Sequence, residues 1–401
     1  MNTTPDEPKG HLPTLIACFL HFDVCFMLWV LIGALGPFVF DGTHVQAGLK
    51  GLLIGIPILT GSLLRVPLGI LSDRFGGRKV ALWLLAFLFV PLLLAWRAPA
   101  GIGMLVPVSV MLGTAGASFA VVLPLASRWY PAERQGLVMG IAAAGNSGTV
   151  LANIFAPRIA AWAGWQNVFG LAIVPLALAL VLFLLLAKEA PVGQRARNAS
   201  DYFAAIAQPD AAWLCGYYCV TFGGYVGLSS FLPVFLHDQF HVTPVVAGSI
   251  TAGAAFAGSF SRPIGGYLAD RLGGVRMLQV LFVGIGGAYL AVAGAGTLGL
   301  AAVAIFVTMV GLGLGNGVVF QLVPQRFPRE IGIVTGLVGA VGGIGGFLLP
   351  TIMGTMKQAT GAFTPGFVLL GVCAVGAAGA LRLRQSQETW RTAPLAAAEE
   401  A

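Results

Sequence analysis

The chain has 401 residues, of which 57% are hydrophobic and only 9% charged, and its formal net charge is +7. Soluble proteins carry about 25% charged residues, so a soluble enzyme or nucleic-acid-binding domain is excluded, and the surplus of Lys and Arg belongs to membrane-facing loops. Apolar runs of about 20 residues, the length that crosses a bilayer, recur from end to end; they are continuous rather than alternating, which predicts an all-α integral membrane protein and not a β-barrel.

The polar stretch 1–9 has no signal-peptide cleavage pattern after it and reads as a cytosolic tail. Twelve spans are predicted: 13–38, 47–72, 79–96, 101–127, 135–160 and 166–187, then 211–236, 245–270, 276–296, 299–324, 332–356 and 365–384. Residues 1–187 and 211–401 are expected as two six-helix bundles, joined by a polar cytoplasmic linker, 188–210. With the N-terminus in the cytoplasm, sixteen Lys/Arg fall on cytoplasmic segments, four on the other side and two within spans. That bias fits cytoplasmic N- and C-termini.

Span 1, "LHFDVCFMLWVLIGALGP" (20–37), holds Asp23, the one acid of fifteen well inside a span. A membrane carboxyl can take up and release a proton, so Asp23 is the candidate for proton coupling; a helix–helix hydrogen bond or a salt bridge is the alternative. Span 2 runs into "GSLLRVPLGILSDRFGGRKV" (61–80), and span 8 into "GSFSRPIGGYLADRLGGVRM" (258–277). Nine of these twenty positions are identical, including Arg65/Arg262 and Asp73/Asp270. A charged side chain at the membrane centre costs about 2.5–3.5 kcal/mol. Two such arginines in equivalent places, with little acid to pair them, point to a shared anionic ligand. The guanidinium is flat, always charged and offers parallel N–H donors, which suits a planar oxyanion.

The repeat continues. "SRWYPAERQGLVMG" (127–140) corresponds to "QRFPREIGIVTG" (325–336), and a Gly-rich helix follows each, "AAAGNSG" (142–148) and "AVGGIGG" (340–346). Gly145, Gly148, Gly339, Gly342, Gly343, Gly345 and Gly346 give faces on which helices approach closely and slide. Two parallel repeats put a substrate site near the bilayer midplane, between the halves. Cys18, Cys25, Cys215, Cys219 and Cys373 lie in apolar segments and read as packing thiols. With the five scattered histidines they imply no metal and no cofactor.

"GILSDRFGGRK" (69–79) and its weaker copy "GYLADRLGG" (266–274) resemble the loop 2–3 signature of the major facilitator superfamily. That resemblance implies the twelve-helix major facilitator fold, a monomer in the cell (inner) membrane, and a cytoplasmic gate. Asp73 would pair with the neighbouring bundle, with Arg74 and Arg78 making inter-helix contacts, and Asp270 and Arg271 as their copies. The arginines of spans 2 and 8, the Gly-rich spans 5 and 11, and "GLGNGVVFQLVP" (Gly313–Pro324) look like the nitrate/nitrite porter branch. The resemblance implies that Arg65 and Arg262 clamp the anion, and that Asn146, Tyr218, Phe222 and Phe119 complete the pocket. Members with "FD" in span 1 look like the nitrate/proton symport group. Nitrate import with proton symport is therefore the expected function, with nitrate/nitrite exchange as the alternative. No phosphate loop, HExxH or nucleophile elbow suggests an enzyme. A drug/proton antiporter of the same superfamily would favour a cavity acid and Gly-Pro-Gly-Gly in span 5, where this chain has "AGNSGTVLANIFAP" (144–157).

Overall fold

A computed structural model describes residues 10–41, 44–97, 101–189, 199–327 and 331–386. Among these, twelve helices are long and apolar enough to cross a membrane: Leu12–Val39, Ala47–Phe75, Gly77–Arg97, Gly103–Ser127, Val138–Ala163, Trp165–Leu186, Pro209–Phe240, Pro244–Leu272, Gly274–Ala293, Leu298–Arg326, Ile333–Thr360 and Thr364–Gln385. They are spans 1 to 12 below. The short helix Ala199–Ile206 lies in the segment expected to be linker.

The predicted spans recur in order, and the differences are local. Span 1 is two helices that meet at Val30. Its start is capped by His11, whose ring accepts from the Thr14 N–H at 3.1 Å. Spans 4 and 5 each contain a turn of 3₁₀-helix, Thr114–Ser118 and Ala144–Ser147. Such a turn interrupts the i→i−4 ladder and marks sites where helices are reshaped for function. Spans 2 and 8 both end on a glycine with positive φ, Gly76 (95°) and Gly273 (87°). That backbone is strained for a residue with a Cβ, which explains why the duplicated loop keeps a glycine there.

The two six-helix halves meet along spans 2 and 11, 5 and 8, and 1 and 7. On the face away from the N-terminus, polar bonds tie them together. Lys50 pairs with Asp238 at 3.4 Å. The Gly48 N–H donates to Gln358 at 3.0 Å, and Gln358 donates to Gln46 at 2.9 Å. Arg158 donates to Ser249 at 3.0 Å. Gly33 packs directly on the Ser230 backbone, with no room for a Cβ. On the N-terminal face, the ion pairs Asp73–Arg128, Asp210–Arg326 and Asp210–Arg384 each lie within one half. Large apolar side chains such as Leu185, Val280 and Val303 are exposed around the belt, as lipid contact requires.

Candidate functional site

Arg65 lies midway along span 2 and is 1% exposed. Its Nε donates to the Gly116 carbonyl at 3.1 Å. Gly116 belongs to the 3₁₀ turn of span 4, where the broken α ladder frees a carbonyl for a side chain. Its Nη1 donates to the Gly339 carbonyl of span 11, a bond between the two halves. Gly339 allows this approach, because a Cβ there would sit 3.1 Å from both Arg65 Nη1 and the Phe119 ring. Three rings surround the guanidinium: Phe119 at 4.9 Å, Phe222 at 5.2 Å and Trp29 at 5.4 Å. Its Nη2 is buried without a hydrogen-bond partner.

Arg262 is half-buried. Its guanidinium lies 5.0 Å from the Phe320 ring of span 10. It is also close enough to Arg65 and to the Tyr218 hydroxyl to act on both. Tyr218 and Phe222, one turn apart on span 7, stack in parallel at 4.9 Å. Phe320 meets Tyr218 edge-on at 4.9 Å and approaches Phe119 at 6.1 Å. The contacts close a ring: Arg65 to Phe119, to Phe320, to Arg262, and back through Tyr218 and Phe222. The Tyr218 hydroxyl is fully buried, with the Arg262 guanidinium as its polar neighbour.

Five of the residues singled out from the sequence, Arg65, Arg262, Phe119, Tyr218 and Phe222, thus converge. Asn146 lies on the 3₁₀ turn of span 5, which packs on span 1 and on span 8, the helix of Arg262. Its amide oxygen is buried without a partner. Asp23 accepts from Ser147 of the same turn at 2.6 Å. His21 points elsewhere, towards the Ala81 carbonyl at 3.1 Å. Among the described residues no ion pair joins Arg65 or Arg262 to an acid.

Among the loop residues, Asp73 pairs with Arg128 of its own half at 2.5 Å. Arg78 donates to the carbonyls of Ala187 at 2.7 Å and Leu184 at 2.9 Å, capping the end of span 6. Arg74 is exposed. Asp270 accepts from Gln321 at 2.8 Å, and Arg271 lies 4.5 Å from the Tyr267 ring.

Three residues of the site were missed from sequence. Phe320 stood in a quoted motif but was one phenylalanine of twenty-six. Trp29 supports Arg65 from below; its indole N–H donates to the Pro57 carbonyl at 2.7 Å. Ser147 is the partner of Asp23. The one available signal was Ser147's place inside the Gly-rich motif.

Chemically, the site gathers two guanidiniums among flat aromatic faces, one of them fully buried. A buried cation without a counter-ion is costly. Arg65 Nη2 is a buried donor with no hydrogen-bond partner. The arrangement suits a small anion, held by charge-assisted bonds between aromatic faces.

The sequence profile of the Major Facilitator Superfamily matches residues 17–350. A "Nitrite extrusion protein" of Bacillus subtilis (strain 168) is 34% identical over 356 residues, covering 87% of this chain and 88% of that protein. A "Probable nitrate/nitrite transporter NarK2" of Mycobacterium tuberculosis is 33% identical, covering 90% and 93%. A "Probable nitrate transporter NarT" of Staphylococcus epidermidis is 31% identical, covering 87% and 90%. In fold, the chain is similar to a bacterial homolog of the human lysosomal transporter Spinster in an inward-facing and occupied conformation, with TM-score 0.74, 18% identity, and 93% and 96% of the two chains covered. With twelve spans, duplicated halves, a match over most of its length and relatives that are transporters, the chain is a multi-pass membrane transport protein and no enzyme, and it belongs to the Major Facilitator Superfamily, in its nitrate/nitrite porter family.

Proposed function

We propose that this protein imports nitrate across the cell (inner) membrane by alternating access, with protons as the coupling ion. The observation that carries the anion reading is the pair of guanidiniums at the half–half interface, with no acid among the described residues paired to either. Nitrate is planar and has three acceptor oxygens. Arg65 and Arg262 would hold its edge, Phe119, Phe222 and Phe320 would cover its faces, and Tyr218 and Asn146 would add hydrogen bonds. The names of the relatives supply the choice of nitrate or nitrite among small anions. Residues 1–187 and 211–401 would rock as two units about the linker 188–210, in a monomer with both termini in the cytoplasm. The bond from Arg65 to the Gly339 carbonyl supports a link between site and rocking, because an anion that recruits Arg65 competes with a tie between the halves.

Asp23 is the proposed proton carrier. It is 9% exposed and bonded to Ser147, next to Asn146, so a change of its charge would be felt at the anion site. Exchange of nitrate for nitrite is the second reading. It is favoured by the relative named for nitrite extrusion and by chemistry, since two fixed cations suffice to carry one anion each way.

Proteoliposomes separate the two. Nitrate uptake is followed with a pH gradient, with internal nitrite, or with neither. Symport predicts accumulation on the gradient alone, and Asp23→Asn abolishes it while nitrate binding stays within about twofold. Uptake that occurs only with nitrite on the other side establishes exchange.

A further inference from the structure

Spans 5 and 11 are copies in sequence but differ in conformation beside the site. Span 11 lies in one continuous α-helix, Ile331–Thr360. Span 5 breaks into the 3₁₀ turn Ala144–Ser147, which carries Asn146. Both cross a neighbouring helix at close range. Gly148 leaves no room for a Cβ against the Asp23 carbonyl, and Gly345 leaves none against the Cys219 carbonyl. Asp23 of span 1 and Cys219 of span 7 therefore hold matching places, and their side chains act in opposite senses. The Cys219 thiol donates to the Val341 carbonyl at 2.9 Å. The Asp23 carboxylate accepts from the Ser147 hydroxyl at 2.6 Å, with the Gly148 N–H beside it. The copy of this motif in span 11, "AVGGIGG" (340–346), has no hydroxyl.

The 3₁₀ turn of span 4, Thr114–Ser118, has a similar companion. A charged side chain of another helix, Arg65, donates to its Gly116 carbonyl at 3.1 Å. Span 10, the copy of span 4, is a continuous α-helix, Leu298–Arg326. Among the described residues, each 3₁₀ turn within a span is thus bonded by an ionisable side chain of a neighbouring helix at the depth of the site, and both copies are plain α-helix.

We propose that Ser147 is a positioning residue that passes the protonation state of Asp23 to Asn146. The proposal deepens the proton-coupled reading above and rests on it for the role of Asp23. An ionised Asp23 holds the Ser147 hydroxyl by a charge-assisted bond, which is roughly twice as strong as a neutral one, and keeps the turn tight. A protonated Asp23 releases that hold, and the turn takes the α geometry that span 11 already has. Over four residues, the change from 3₁₀ to α shortens the rise by about 2 Å and turns the helix by about 80°. Asn146 is one of those four, and the turn packs on span 8, the helix of Arg262. The loss of a negative charge nearby also favours an anion, so the proton should raise nitrate affinity. The other ionisable groups on and around span 1 at this depth are engaged elsewhere. His21 meets Cys25 and the Ala81 carbonyl, Arg65 holds the Gly116 and Gly339 carbonyls, and Arg262 faces Phe320 and Tyr218.

The test is calorimetric titration of nitrate between pH 5 and pH 8, on the full-length parent, Asp23→Asn, Ser147→Ala and Ser147→Thr. The parent should bind about fivefold more tightly, or better, at the acid end. Asp23→Asn should show one affinity at every pH. Ser147→Ala should vary less than about twofold across the range, and Ser147→Thr, which keeps the hydroxyl, should restore the dependence. Linkage is reciprocal, so nitrate binding should draw in protons, read as a binding heat that changes with the ionisation enthalpy of the buffer in the parent and in Ser147→Thr alone. A parent affinity that does not change with pH overturns the proposal. So does a pH dependence in Ser147→Ala equal to the parent's, which would make the coupling a through-space field. So does Ser147→Thr behaving as Ser147→Ala, or a Ser147→Ala chain that binds no nitrate at any pH, which would place Ser147 in the anion site itself. Nitrate accumulation by proteoliposomes on a pH gradient separates this proposal from the symport reading. A parent with pH-dependent affinity but no accumulation sinks symport and leaves the switch. A parent that accumulates nitrate with constant affinity sinks the switch and leaves symport.

Discussion

Arg65 and Arg262 occupy matching places in a duplicated sequence, yet their surroundings differ. Arg65 is 1% exposed, bonded to carbonyls of spans 4 and 11 and enclosed by three rings. Arg262 is half-buried, with one ring at 5.0 Å and the Tyr218 hydroxyl beside it. The first is held by packing and also ties the halves together. The second, on the proposed reading, is the arm left to follow the anion. Duplication supplied two cations; packing gave them unequal tasks.

The largest effect expected from this difference is in binding. Lysine keeps the charge but loses the planar fork. At Arg65 a single ammonium nitrogen cannot span the Gly116 and Gly339 carbonyls as the separate Nε and Nη1 of the guanidinium do. Arg65→Lys should weaken nitrate binding on the order of a hundredfold, about 2.7 kcal/mol, and Arg262→Lys about tenfold, 1.4 kcal/mol. Calorimetric titration of both variants decides the order. Equal losses would mean that the two arms act alike.

Next in size is a change that touches neither arginine. In Gly339→Ala the new methyl would meet Arg65 Nη1 and the Phe119 ring at 3.1 Å. It should displace the guanidinium and reduce nitrate affinity about tenfold, or 1.4 kcal/mol, with little change in melting temperature. Full affinity in this variant would show that the bond to the Gly339 carbonyl does not position Arg65.

The aromatic walls follow. A desolvated cation–π contact contributes up to about 2 kcal/mol and an exposed one about 0.5–1. Phe119→Leu, over the buried arginine, should cost about fivefold in affinity, and Phe320→Leu, over the half-buried one, about twofold. The same titration reads both, and a larger loss at Phe320 would reverse the ranking of the two walls.

These cases also show what the sequence carried. Composition and run length were enough for twelve helices, because a lipid-crossing helix has no other way to satisfy its backbone. The repeat located both arginines, since an unpaired charge in an apolar run stands out at any register. Tyr218, Phe222, Phe119 and Asn146 were named through resemblance; spacing alone does not separate them from other aromatic and amide side chains in membrane helices. Phe320, Trp29 and Ser147 stayed hidden because their roles come from neighbours distant in sequence. Trp29 matters through Gly61 and Gly116, against which its indole packs. The pairing of Asp73 with Arg128 was likewise not legible: the repeat gives the position of a charge along its helix, not which helix its side chain meets.

Asp73 and Asp270 extend the comparison to the loops and give the smallest expected effect, on stability rather than binding. Both carboxylates lie in the last turn of spans that end in a duplicated glycine turn. Asp73 meets a cation, Arg128, at 2.5 Å, with side-chain exposures of 4% and 10%. Asp270 meets a neutral amide, Gln321, at 2.8 Å in an exposed setting. Removing one partner of a buried pair leaves the other charge uncompensated, whereas an exposed hydrogen bond is readily replaced by water. Asp73→Asn should therefore lower the melting temperature by about 2–4 °C, roughly 1 kcal/mol for a chain above 150 residues, and Asp270→Asn by less than about 1 °C. Nitrate affinity should be unchanged in both, because neither side chain reaches the ring of contacts around the arginines. Thermal unfolding of the two detergent-solubilised variants, each with and without nitrate, is the measurement. If Asp270→Asn is the more damaging, the N-terminal half is not the more tightly braced of the two at this face.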